Sequence, residues 1–135
     1  MRYLVGAGRD ELMRCVKSHW MQADSKIVTK KSVLLAYQML RGMEPFCGWK
    51  LPATIQTKVV NDISMYGCFE DPDIITISTA RVWDVSQLVA TVAHEMIHLR
   101  QYRLKQLDDT TPHDAYFMEQ ARLVCVGLGF DKENF

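Results

Sequence analysis

The segment Leu88-Val89-Ala90-Thr91-Val92-Ala93-His94-Glu95-Met96-Ile97-His98-Leu99 combines an apolar helical pattern with the sequence H-E-x-x-H. Residues four positions apart lie on the same face of a helix, so the imidazoles of His94 and His98 can reach one metal ion. Glu95 lies beside them and can reach a water molecule that the metal activates. The segment therefore predicts a helix that carries two zinc ligands, His94 and His98, and a general base, Glu95.

The residues around the motif agree with this interpretation. A helical pattern runs from Asp84 to about Leu107. At about 100° per residue, its apolar side chains fall on one half of the helix, where burial is expected. That half consists of Leu88, Val89, Val92, Ala93, Met96, Ile97, Leu99 and Leu104. For over two turns around the motif, the other half carries only the candidate ligands, the base and uncharged neighbours, as expected of a helix that lines a catalytic cleft: Thr91, His94, Glu95, His98 and Gln101.

A catalytic zinc site needs a third protein ligand and keeps a fourth position open. The pattern H-E-x-x-H-x-x-G-x-x-H is excluded, because Gln101 and Leu104 occupy the positions of its Gly and its third His. We prefer His113, which follows Pro112 and stands 15 residues after His98, where a short loop can fold it back over the metal. The alternatives are the carboxylates Asp108, Asp109, Asp114 and Glu119.

The order of elements along the chain predicts the α+β class. Capping residues, turn residues and apolar periodicity define each segment. The predicted elements are helices at 10–23 and about 31–41, strands at 54–61, 65–69 and 74–78, a helix at about 84–107, and a helix from about Pro112 to Gly127 or Gly129. We therefore expect a single domain over residues 1–135, in which a small antiparallel sheet of about three strands packs against the H-E-x-x-H helix and covering helices.

Composition limits the class of protein. With 135 residues, of which 48% are hydrophobic and 24% charged, the chain can bury a core without a structural metal, so zinc is expected to serve function. No segment approaches the ~20 apolar residues that span a membrane. The apolar stretch at the amino terminus is too short for the core of a signal peptide. We expect a cytoplasmic protein whose cysteines are free core thiols: Cys15, Cys47, Cys68 and Cys125.

Charge is divided unevenly between the two halves of the chain. Residues 1–58 hold 10 Lys and Arg against 4 Asp and Glu, whereas residues 59–135 hold 6 against 12. A basic surface can bind phosphates by releasing counterions. We expect nucleic acid, if it binds, to bind weakly through the amino-terminal half, whose basic residues include Arg9, Arg14, Lys17, Lys26, Lys30 and Lys31.

Three blocks of the sequence, over about residues 65–120, resemble the SprT-like or Spartan family of metallopeptidases. The first block is Gly67-Cys68 with the strand Ile74-Ile75-Thr76-Ile77-Ser78, and the second runs from Leu88 to His94-Glu95-Met96-Ile97-His98. The third, His113-Asp114-Ala115-Tyr116-Phe117, is similar to a family segment of the form H-G-x-x-F, with Asp114 in place of the usual Gly. Because no zinc ribbon follows in this sequence, we do not expect the family's role in cleaving proteins crosslinked to DNA.

The resemblance implies a zincin-like fold, zinc bound by His94, His98 and His113, and hydrolysis of peptide bonds with Glu95 as the catalytic residue. The expected partner is a protein or peptide substrate. An alternative is a metallopeptidase-like module that binds zinc and docks a partner without proteolysis. Hydrolysis of a non-peptide amide would use the same zinc and the same Glu95.

Three further expectations concern the surroundings of the motif. An extended substrate can pair with the strand Ile74–Ser78 if that strand lies at an edge of the sheet. Tyr116 is a candidate to stabilise the oxyanion, although packing beside Phe117 is the simpler role. Trp83 is expected in the core, and Asp84 is expected to cap the helix that follows it.

Overall fold

The structure is a computed structural model that describes residues 27–131 and residue 135. The helix predicted at 10–23 and Cys15 lie outside the described residues. The α+β class is confirmed for the part of the chain that is described. Its elements are helix α1 (Lys30–Arg41), a short 3-10 helix (Phe46–Gly48), strands β1 (Gln56–Val60), β2 (Gly67–Glu70) and β3 (Ile74–Ser78), and helices α2 (Val85–Arg103) and α3 (Ala115–Leu128).

Helix α1 begins and ends where its sequence predicts. The Thr29 side chain accepts a hydrogen bond from the backbone of Ser32, whose side chain accepts one in return from the backbone of Thr29, and Gly42 follows as the C-terminal cap. This reciprocal pair satisfies backbone donors that the first turn leaves open. The helix buries one face in the core and leaves Lys30 and Lys31 exposed in its first turn.

The sheet is mixed, so the predicted antiparallel sheet is wrong for one of its two strand pairs. The order is β1-β3-β2, with β1 parallel and β2 antiparallel to β3. Residues 61–66 pass the carboxyl end of β3, so β2 runs opposite to β1, and the tight turn at residues 71–73 reverses the chain again into β3. Two reversals make β3 parallel to β1.

The central place of β3 has a physical cause. Residues 75–78 of this strand are all buried, whereas β1 and β2 are partly exposed. A strand whose side chains are buried on both faces fits best between two other strands, where its backbone is also hydrogen bonded on both sides. The expectation that Ile74–Ser78 offers an edge to a substrate is therefore wrong, and β1 and β2 are the outer strands of the described sheet.

Helix α2 contacts α1, α3 and the sheet, so it lies at the centre of the fold. Asp84 caps it as predicted, through a reciprocal pair of hydrogen bonds with Gln87. Trp83 is 68% exposed, so the prediction of a core aromatic is wrong. It precedes the cap, and its indole N–H donates to the carbonyl of Ala80 rather than entering the core.

Burial of α2 extends beyond its apolar half. The predicted apolar residues are buried, except Leu104, which follows the end of the helix and is 37% exposed. Most of the predicted polar half is buried as well: Thr91, Glu95, His98 and Gln101. The polar half of α2 therefore faces other parts of the protein.

The last helix begins later than predicted, at Ala115 rather than near Pro112. Asp114 is its cap, and its carboxylate accepts a hydrogen bond from the backbone N–H of Phe117. The helix ends at Leu128 and is capped by Gly129, which has the left-handed φ of 77° that glycine adopts without strain. Pro112 and His113 therefore remain in the loop between α2 and α3.

The described cysteines differ in exposure. Cys125 is buried as predicted, but Cys68 is only partly buried and Cys47 is exposed, so the prediction of core thiols is wrong for Cys47. All three are free thiols. Among the described residues, no helix has the length and apolar character required to cross a membrane.

Candidate metal centre

Three histidines from two parts of the fold come together beside α2. His94 and His98 lie on the same face of α2, and His113 lies in the loop that precedes α3. Each offers one ring nitrogen, and these nitrogens lie within 4.8 Å of one another. The structure thus brings together the three residues that the sequence indicates as metal ligands, close enough to bind one metal ion.

The spacing of the nitrogens is compatible with one small divalent ion. The Nε2 atoms of His94 and His113 are 3.1 Å apart. Zinc–imidazole bonds of about 2.0–2.1 Å in a tetrahedral site place two ligand nitrogens about 3.3 Å from each other. The pair therefore needs little movement to accept a metal, and imidazole is a common ligand of zinc, copper, iron and nickel.

The orientation of the His94 ring is fixed by a hydrogen bond to a residue 41 positions later in the chain. Its Nδ1 lies 2.8 Å from the main-chain oxygen of Phe135. Because that oxygen only accepts, Nδ1 carries the proton, and the lone pair is on Nε2. The nitrogen of His94 that faces His113 is therefore the one that can bind a metal.

His98 is held in the same way by a residue of its own helix. Its Nδ1 lies 2.7 Å from Oε1 of Gln101. Burial lowers the pKa of His98. The hydrogen bond that its ring donates to Gln101 opposes this shift, the charge of His113 adds to it, and the charge of Asp114 opposes it. A lowered pKa favours the neutral imidazole, which is the form that binds metals.

Phe117 forms an apolar wall behind the three histidines. Its ring centroid lies 4.8 Å from that of His94, 4.7 Å from that of His98 and 4.5 Å from that of His113. The side chain is only 3% exposed. Phe117 therefore restricts the positions of the imidazoles and excludes water from one side of the cluster.

The histidines open onto a cavity of about 300 Å³ between α2, β2 and the loop before α3. Glu95 lines this cavity beside them and is 5% exposed. Larger cavities, of about 470 and 550 Å³, lie beside Trp83 and Tyr102. None of the three histidines lines either of them. The smaller cavity is the candidate site because of the residues that line it, not because of its volume.

Strand β2 forms the wall opposite α2 and supplies Gly67, Cys68 and Phe69. A Cβ atom on Gly67 would lie 2.6 Å from the carbonyl oxygen of Thr76 and 3.0 Å from Cγ2 of Thr91. Only glycine allows β2 to lie this close to the backbone of Thr76 in β3 while it also contacts Thr91 of α2. Burial raises the pKa of the neighbouring Cys68 thiol, and the negative charge of Glu95 adds to the effect, so the thiol is neutral near pH 7.

The carboxylates considered as alternative ligands lie outside the cluster of ligand atoms. Glu119 is paired with Arg122 at 2.6 Å on the surface of α3. Asp108 accepts hydrogen bonds from Thr110 and Thr111, and Asp114 caps α3. Asp109 is the one of the four that lines the cavity.

Tyr116, the candidate oxyanion stabiliser, directs its hydroxyl toward another helix. That hydroxyl accepts a hydrogen bond of 3.3 Å from Nε of Arg100 on α2. The guanidinium of Arg100 also donates to the carbonyl of Trp49. Tyr116 thus joins α3 to α2 through an arginine that is itself held in place.

Sequence reasoning missed two residues of the site. The sequence predicts the helix face of Gln101 but not its role, for which its position three residues after His98 is the available signal: Gln101 is fully buried and hydrogen bonded to His98. Phe135 carried no signal, because 41 residues separate it from His94. Its contribution is a main-chain oxygen, which any residue type supplies.

Comparisons with models of known protein families, with curated proteins and with solved structures found no match. The class of the protein is therefore defined by its own fold and site. It is an α+β protein in which a buried helix and the loop after it bring three histidines together around a position that can hold a metal ion.

Proposed function

We propose that this protein is a zinc-dependent metallopeptidase with a zincin-like domain, in which His94, His98 and His113 hold zinc and Glu95 is the general base. One observation carries the proposal. A carboxylate that is 5% exposed lines the same small cavity as three convergent imidazoles. Three neutral ligands leave a coordination position open for catalysis, and a carboxylate next to it can move protons.

Zinc suits this set of donors, because three imidazoles with a further open position are a known arrangement of catalytic zinc sites. When bound, zinc supplies a Lewis acid that polarises a carbonyl group and lowers the pKa of water to about 7. Both effects favour attack on an amide at neutral pH. The neutral state that burial favours at His98 keeps that ligand available in the same range.

Glu95 is proposed to accept a proton from the attacking water and to return it to the leaving amine. One carboxylate can perform both transfers when it reaches both atoms in the same cavity. Burial among β2 and the histidines limits competing water. Hydrolysis of the amide then yields a free carboxylate and a free amine.

The outer edge of β2 is the proposed position of an extended substrate. The backbone N–H of Ser78 donates to the carbonyl of Tyr66, and hydrogen-bonded pairs alternate along an antiparallel ladder. The backbone groups of Gly67 and Phe69 therefore point away from β3, on the strand that lines the cavity. A peptide paired there would pass the histidines.

The SprT-like resemblance is supported by where its blocks lie in the fold. Gly67-Cys68, His94 to His98 and the segment from His113 to Phe117 are separate in the sequence. All three contribute residues to the cavity or to the wall behind the histidines. The sequence pattern and the spatial arrangement therefore point to the same chemistry.

Glu95→Gln tests the proposal, because the amide keeps the shape of the side chain but cannot accept the proton. The zinc-loaded protein is assayed on casein and on a peptide library. The variant should bind zinc and fold normally while losing nearly all hydrolysis, and Glu119→Gln, on the exposed face of α3, should retain it. Full activity in Glu95→Gln would remove Glu95 from the mechanism. A wild type that binds zinc but cleaves no substrate would favour the partner-docking module.

A further inference from the structure

The side chain of Gln101 has no exposed surface and makes hydrogen bonds to three other residues. Its Oε1 lies 2.7 Å from Nδ1 of His98. Its Nε2 lies 2.9 Å from the carbonyl oxygen of Pro112 and 3.2 Å from Oδ1 of Asp114. One buried amide therefore joins α2, the loop and the beginning of α3.

These contacts determine which way the amide points. A backbone carbonyl and an ionised carboxylate only accept hydrogen bonds, so the NH₂ group of Gln101 must face Pro112 and Asp114. The remaining atom, Oε1, then faces His98 and can only accept. Nδ1 of His98 must therefore carry the proton, which leaves the lone pair on Nε2.

The same amide contacts both residues that flank His113. Pro112 immediately precedes His113 and Asp114 immediately follows it, and both accept a hydrogen bond from Nε2 of Gln101. His113 itself is exposed and lies outside any helix or strand. Its position relative to α2 thus depends on contacts made by its two neighbours.

We propose that Gln101 is a positioning residue that orients His98 and holds the loop segment of His113 at the distance required for joint metal binding. The inference rests on the proposed metal site and adds a residue that does not touch the metal. Removal of the amide would leave polar groups unpaired in a buried place and would release the loop. Residues that support metal ligands in this way typically change metal affinity by about 10–100-fold.

The first experiment measures the tautomer of His98 in the metal-free protein by ¹⁵N NMR of the histidine rings. Wild type should show a proton on Nδ1 of His98. Gln101→Met, which has similar length and no hydrogen-bonding group, should lose this preference. Gln101→Glu keeps an acceptor oxygen near the ring and should restore it. A wild-type protein with the proton on Nε2 of His98 would overturn the proposal even if neither variant folds.

The second experiment measures zinc affinity by competition with a chromophoric chelator. Gln101→Met should bind zinc about 10–100-fold more weakly than wild type. Gln106→Leu changes an exposed glutamine five residues away and should leave affinity unchanged. The visible spectrum of bound Co²⁺, which depends on ligand number and geometry, should change in Gln101→Met and not in Gln106→Leu.

The outcomes separate this inference from the proposed function. Equal zinc affinity and equal Co²⁺ spectra in wild type and a folded Gln101→Met would overturn the role of Gln101 and leave the proposed peptidase intact. If zinc affinity depends on Gln101 but the protein cleaves no peptide, the role of Gln101 stands and the proposed peptidase activity is refuted. A wild type that binds neither zinc nor cobalt would refute both.

Discussion

The Nε2 atoms of His94 and His113 lie 3.1 Å apart, although 19 residues separate them in the chain. His94 already uses the proton of its Nδ1 to bind the main-chain oxygen of Phe135. In the metal-free protein, the proton between the two Nε2 atoms must therefore belong to His113. A metal ion that binds both nitrogens requires this proton to move to Nδ1 of His113, which changes the tautomer but releases no proton. Zinc binding should nevertheless become weaker at low pH, because a protonated imidazolium has no lone pair for the metal.

The three histidines should each be required for tight zinc binding. We expect one zinc per chain in wild type and loss of stoichiometric zinc in His94→Ala, His98→Ala and His113→Ala, because two remaining imidazoles do not complete the site. Elemental analysis of the purified proteins measures this directly. His19→Ala, at the one other histidine of the chain, is the matched control and should keep its zinc. Full occupancy in His113→Ala would transfer the role of third ligand to another residue, and Asp109 would be the first to test.

The stability of the metal-free protein should fall as the pH decreases through the range in which histidines titrate. Burial lowers the pKa of His98 below the ordinary histidine value of about 6.5, so the unfolded chain takes up a proton at a higher pH than the folded chain does. This contribution to stability is present above about pH 6.5 and is lost as the pH falls toward the folded pKa. Urea unfolding between pH 8 and pH 5 measures how steeply the free energy of unfolding changes with pH. His98→Leu should make this change smaller. An unchanged pH dependence in His98→Leu would show that other groups cause it.

Gly67→Ala should both destabilise the protein and disturb the cavity. The added Cβ would lie 2.6 Å from a backbone oxygen, so β2 must move away from β3 or α2. Overpacking of this kind typically costs about 1–3 kcal/mol. Gly48→Ala is the matched control, because a Cβ there meets no atom within 4 Å. Chemical denaturation and zinc-dependent hydrolysis should both be affected in Gly67→Ala alone. Equal stability of the two variants would mean that the close approach of β2 is not required.

Nucleic acid binding, if it occurs, should be weak and sensitive to salt. A surface that neutralises about four phosphates gives a slope near −3 to −4 of log affinity against log salt concentration. Fluorescence anisotropy with single-stranded and double-stranded DNA measures this slope. Replacement of Lys26, Lys30 and Lys31 by Ala should weaken binding uniformly across DNA sequences. Tight binding that survives high salt, or that the triple variant leaves unchanged, would contradict the prediction.

Local spacing was sufficient to predict the features that depend on one helix or one turn. The side chains of His94 and His98 share a face because of helical geometry alone, and Glu95 enters the same cavity from an adjacent position. The capping role of Asp84 likewise depends on neighbours in the sequence. These predictions were correct because the interactions involved span only a few residues.

The chain's sequence therefore determined by itself the helix, the shared face of two of the histidines and the position of Glu95 beside them. Tertiary structure decided the central place of β3, the exposure of Trp83 and the burial of Gln101. It also brought His113 to His94 and the main-chain oxygen of Phe135 to the opposite side of the same ring. The physical reason is that these arrangements depend on which surfaces of separate elements pack together. Periodicity shows that a residue faces inward, but only packing determines which partner it meets there.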